Sequence, residues 1–122
     1  MEQLFLEDLS GMSEKEIKKH VCSSYETDSE NVNDFEFLIA YESVGSWGCD
    51  SSSWFLLKNK NTGELFENHG SHCSCYGFEG QWQPEVTTKE YLKSDHFYFS
   101  TGGYDANRDN NTKLVKDYVS KL

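Results

Sequence analysis

The residues best equipped for chemistry crowd into one short stretch. His69, His72, Cys73 and Cys75 fall within seven residues, and Cys49 precedes them on the chain. Thiolates and imidazoles together are what zinc binds, usually four at a time. A zinc site drawn from Cys49, His72, Cys73 and Cys75 is therefore one reading of this stretch. The spacing argues against it: structural zinc sites favour cysteine pairs with two residues between them, and Cys73-Ser74-Cys75 has one. The alternative is that the cysteines pack as small apolar side chains and His72 hydrogen-bonds the loop backbone. Cys73 beside His72 also has the composition of a nucleophile and its base. Such pairs meet in space rather than along the chain, and no orienting carboxylate or oxyanion-binding group is recognisable nearby. The expectation is a protein that is not an enzyme and carries no cofactor, zinc at the loop excepted.

Other chemistries lack essential parts. Gly45-Ser46-Trp47-Gly48 and Gly102-Gly103 have neither the lysine nor the context of a phosphate-binding loop. Asp105, Asn107, Asp109 and Asn111 alternate as in a calcium loop, but its central glycine and closing glutamate are missing. Those residues read as a solvated turn.

The cysteine cluster belongs to a longer unusual run, Gly70-Ser71-His72-Cys73-Ser74-Cys75-Tyr76-Gly77, continued by Glu79-Gly80-Gln81-Trp82 and Pro84-Glu85. Here the chain resembles a family of small, mostly uncharacterised bacteriophage and prophage proteins. The likeness extends from about Tyr41 to Leu92. The resemblance implies a phage origin. It brings no catalytic residues with it. The first residues lack the basic start and apolar stretch of a signal peptide, so the expected location is the host cytoplasm. Within the run, His72, Cys73, Cys75, Tyr76 and Trp82 are the candidate functional side chains.

Charge supplies the second signal. The 122 residues carry a formal net charge of −10. Residues 1 to 50 hold twelve acids and three lysines, whereas residues 51 to 122 are nearly balanced. Between Lys19 and Lys58 there is no Lys or Arg, while Glu26, Asp28, Glu30, Asp34, Glu36 and Glu42 all fall there. Such a chain is repelled by bare nucleic acid and by anionic membranes, and is attracted to basic protein surfaces. No apolar run is long enough to span a bilayer. The six carboxylates are the candidate partner-binding residues. They would imitate a phosphate backbone on a host protein that binds nucleic acid or defends against phage. The competing function is a small zinc-supported or ligand-binding accessory domain built on the cysteine loop.

The elements that must position these groups are legible in outline. Ser13-Glu14-Lys15-Glu16 is a capping box that opens a helix with Ile17 and Val21 on its apolar stripe. Residues 34 to 44 read as a strand with Phe35, Phe37, Ile39 and Tyr41 on one face and Glu36 and Glu42 on the other. Residues 53 to 58 and 64 to 68 read as a hairpin around the turn Asn59 to Gly63. A short helix over 87 to 93, a strand over 96 to 100 and a terminal helix over 112 to 120 complete the pattern. The expected fold is α+β: one domain, residues 1 to 122, with a central antiparallel sheet and helices at both ends.

Overall fold

The computed structural model describes residues 3–44, 51–72, 78–97 and 108–122. The fold is α+β. Its elements are β1 (Leu4–Glu7), α1 (Glu14–Ser24), α2 (Glu30–Asn33), β2 (Phe35–Val44), β3 (Ser51–Asn59), β4 (Leu65–His72), β5 (Glu85–Val86), α3 (Lys89–Lys93) and α4 (Arg108–Ser120).

The five strands lie side by side in chain order. β2, β3, β4 and β5 pair antiparallel, but β1 runs parallel to β2, with Leu4 opposite Ile39 and Leu6 opposite Tyr41. The sheet is thus mixed rather than antiparallel. The reason is the crossover: α1 and α2 lie between the first two strands, and a helical crossover returns the chain in its original direction.

β3 is the spine. Its first seven residues, Ser51 through Leu57, are all buried, so both faces of the strand are covered. On one face Leu6, Ile39, Tyr41, Trp54 and Leu56 pack against Leu92 of α3, Phe97, and Val115 and Val119 of α4. On the other, Phe37, Ala40, Phe55 and Leu57 pack against Ile17 and Val21 of α1, Val32 of α2, and Tyr25 and Phe78. Each aliphatic side chain buried this way contributes about 1.5–3 kcal/mol.

A bulge in β2 overturns the simple alternation expected of it. The register with β3 shifts between Phe37 and Ile39. Phe35 and Phe37 keep to the α1 side, whereas Ile39 and Tyr41 turn to the α4 side with Leu38. One extra residue exchanges the faces of everything after it. Glu36 and Glu42 therefore lie on opposite faces, not on one.

The capping box forms as expected: Ser13 Oγ accepts from the Glu16 amide at 3.1 Å, and Glu16 returns a bond to the Ser13 amide. The polar stretch 27–33 contains one helical turn, α2, fixed by the fully buried Val32. α4 begins earlier than its apolar pattern and buries Val115 and Val119 fully, Leu114 and Tyr118 partly. Of the strand expected at 96–100, the two described residues are not strand: His96 lies in a turn, and Phe97 plugs the core at 1% exposure. Residues 98–100 are outside the described region.

Gly70 on β4 is a point of closest approach. A Cβ there would meet the Tyr25 hydroxyl, Ser53 Oγ at 2.6 Å and Phe78 Cδ1 at 2.9 Å. Two of those atoms belong to packed, bonded side chains that cannot easily give way. Gly70→Ala is expected to lower the unfolding free energy by about 2 kcal/mol with an unchanged slope in urea. A loss below about 0.5 kcal/mol would contradict the packing described.

Candidate functional site

α1 ends at Tyr25, and the acidic stretch begins at the next residue. Glu26 adopts a left-handed conformation with φ of 50°, which costs a non-glycine residue about 1–2 kcal/mol. Glu26, Asp28, Glu30 and Asp34 are exposed, and none makes an ion pair among the described residues. Asp28 precedes α2, Glu30 opens it and Asp34 caps its end. These four therefore share the α1–α2–β2 connection.

The other two predicted partner-binding residues do not join them. Glu36 is half-buried and lies toward α4, where burial and then its negative charge push the Tyr118 pKa up. Glu42 is 8% exposed. Its oxygens lie 3.0 and 3.1 Å from His20 Nε2 on α1. Glu42 is a structural ion-pair partner, placed there by the β2 bulge, and is removed from the acidic surface.

The unusual run is in part a clamp. Gln81 bonds the β4 backbone twice: the Ser71 amide donates to Gln81 Oε1 at 2.8 Å, and Gln81 Nε2 donates to the Ser71 carbonyl at 2.7 Å. The Gln83 amide donates to Asn68 Oδ1 at 2.7 Å. Together these close the base of the loop, as an added strand would. Phe78 stacks on Tyr25 with ring centroids 4.9 Å apart. Trp82, half-buried, stacks on Phe37 at 6.0 Å and donates from its indole to the Asn31 carbonyl at 3.1 Å. The motif tryptophan thus holds α2, the carrier of the acidic residues.

Cys49, Cys73, Cys75 and Tyr76 lie outside the described residues, and of His72 only the backbone, ending β4, is described. The free thiol among the described residues is Cys22 of α1. No three of His, Cys, Asp and Glu gather into a metal-holding group among the described residues.

A polar cluster at the β4–β5 edge went unread in the sequence. Glu67, 8% exposed, accepts from the Trp54 indole at 3.2 Å and lies 2.6 Å from His69 Nε2. Burial works to raise the Glu67 pKa, but interactions with His69, Thr87 and Trp54 outweigh it and hold the carboxyl below its ordinary value. Its alternation with His69 on β4 was the available signal. Glu67 there anchors a buried indole rather than a reacting group.

The His20–Glu42 pair gives the fold a pH dependence of known sign. The hydrogen bond to Glu42 raises the His20 pKa above its ordinary 6.5; burial opposes this, and the charges of Glu42 and Asp8 add to it. The stabilisation is full below 6.5, the unfolded value, and disappears as pH rises through the folded one. The urea midpoint of the native chain, relative to His20→Gln, should fall between about pH 5.5 and about pH 8. A difference independent of pH would contradict the pairing. No family model, curated protein or solved structure matches the chain.

Proposed function

We propose that this chain is an acidic binding protein that docks on the basic surface of a partner through Glu26, Asp28, Glu30 and Asp34. The observation that carries this reading is the exposure of four carboxylates, without ion-pair partners among the described residues, on a connection braced by Val32 and Trp82. Pre-fixed charges lose little freedom on binding, and complementary charge raises association rates and suppresses wrong partners. The left-handed Glu26 adds weight. Glycine or asparagine is the ordinary occupant of that position after a helix, so an acid is kept there at a local cost.

On the phage resemblance, the partner is a host protein that binds nucleic acid or acts in defence, and the effect is stoichiometric inhibition rather than catalysis in the host cytoplasm. The net charge of −10 disfavours direct nucleic-acid binding. No described helix is long and apolar enough to cross a membrane.

A second reading keeps the loop as a ligand or zinc-supported site. The Gln81 and Trp82 clamp favours it, together with an adjoining cleft of about 250 Å³ lined by Glu67, His69, Gly80 and Gln81.

Affinity capture from host lysate distinguishes the two. Mass spectrometry should find a basic protein retained at about 0.1 M salt and released near about 0.5 M, where screening shortens the reach of charge. Changing Glu26, Asp28, Glu30 and Asp34 together to Lys should abolish that capture. Capture that resists both salt and charge reversal, and is lost on chelation, would overturn the acidic-surface reading in favour of the second.

A further inference from the structure

The three lysines of the acidic half are not scattered. Lys15, Lys18 and Lys19 all lie on α1, and with Cys22 they fall at the spacing of one helix stripe. That stripe walls a groove of about 600 Å³ between α1 and the segment leading through α2. Small-molecule sites commonly span about 300–1,000 Å³. The floor is apolar: the half-buried Cys22 and the stem of Lys18 lie over the fully buried Val32.

The lysines differ in availability. Lys18 is engaged: its Nζ lies 3.1 Å from Glu14 and 5.9 Å from the Phe37 ring centroid. Its stem thereby extends the apolar wall, as long cationic side chains do. Lys15 and Lys19 are exposed and make no ion pair among the described residues. Asp28 stands on the opposite rim. A groove with two free ammonium groups on one wall, a carboxylate across from them and an apolar floor selects by shape as well as charge. Bare phosphate leaves the floor uncovered, and an extended polyanion meets the acidic connection beside it.

We infer that the α1–α2 groove is a binding site for a small amphipathic organic anion, a ring or short acyl chain bearing a phosphate or carboxylate. The anionic group pairs with Lys15 and Lys19, and the apolar body covers Cys22 and the stem of Lys18. The groove shares its Asp28 rim with the acidic surface, but Lys15, Lys19 and Cys22, which hold the ligand, are not among the residues proposed to dock the partner.

Phenyl phosphate is a suitable probe, titrated into the full chain and followed by amide shifts in ¹H–¹⁵N spectra. Saturable shifts at Cys22, Val32 and Asn33 are expected. The probe should also slow alkylation of Cys22, read by peptide mass spectrometry. Lys15→Glu with Lys19→Glu should weaken binding by at least about tenfold, an effect of about 1.4 kcal/mol. Lys60→Glu with Lys121→Glu, the same charge change elsewhere, should leave it unaltered; circular dichroism checks that both variants fold. Inorganic phosphate and benzylamine should bind more weakly than phenyl phosphate.

Absence of saturable shifts would overturn the proposal. So would benzylamine binding as well as phenyl phosphate, or equal weakening by the two double variants. Vesicles of phosphatidylcholine and phosphatidic acid separate a lipid headgroup from a free ligand. The chain should stay in the supernatant, and sedimentation that depends on Lys15 and Lys19 would overturn the free-ligand assignment.

Discussion

The Tyr25 hydroxyl is where four parts of the chain meet. Tyr25 caps α1, bonds Ser53 of β3, fills the space left open by Gly70 of β4 and stacks on Phe78 beyond the loop. Burial pushes its pKa up, so the phenol keeps its proton and remains able to donate. A buried hydroxyl without a partner costs about 1–3 kcal/mol, and here the partner is another buried hydroxyl. Everything nearby is tuned to that meeting: position 70 must be glycine-sized, position 53 must be small and polar, and position 78 must be a flat ring.

The same anchor serves both candidate functional regions. The acidic connection leaves directly from Tyr25, and the clamp that closes the loop returns to it through Phe78 and Trp82. Charge asymmetry divides the chain into an acidic half and a near-neutral one. Trp82 crosses that division. Its ring packs on the sheet, and its indole holds Asn31 in the middle of the acidic stretch. The near-neutral motif therefore positions the acidic surface.

What could be read from the sequence was local. The capping box at Ser13, the hairpin around Asn59 to Gly63 and the apolar stripe of Ile17 and Val21 all depend on neighbours within a few residues. What escaped depends on distant ones. β1 is four residues long and gains its identity only by pairing with Ile39 to Glu42 of β2, across two helices. The β2 bulge has no signature in its own residues; it follows from fitting Phe37 and Ile39 to opposite sides of β3. That single shift moved Glu42 from the expected surface to a half-buried pair with His20. Gln81 is absent from the candidate side chains because its role is to pair with a strand residue ten positions earlier. Four of the six expected acidic residues, Glu26, Asp28, Glu30 and Asp34, are exposed, on a connection that contains the unforeseen helical turn α2.

A double-mutant cycle on Tyr25→Phe and Ser53→Ala, read by urea unfolding, tests this anchor most directly. Each single change takes from a buried hydroxyl its hydroxyl partner, whereas the double change removes both groups. The packing described here predicts a coupling of at least about 1 kcal/mol, with the double variant more stable than the sum of the singles implies. Effects that add to within about 0.3 kcal/mol would show that the two hydroxyls do not depend on each other, and the anchor would be lost from the account.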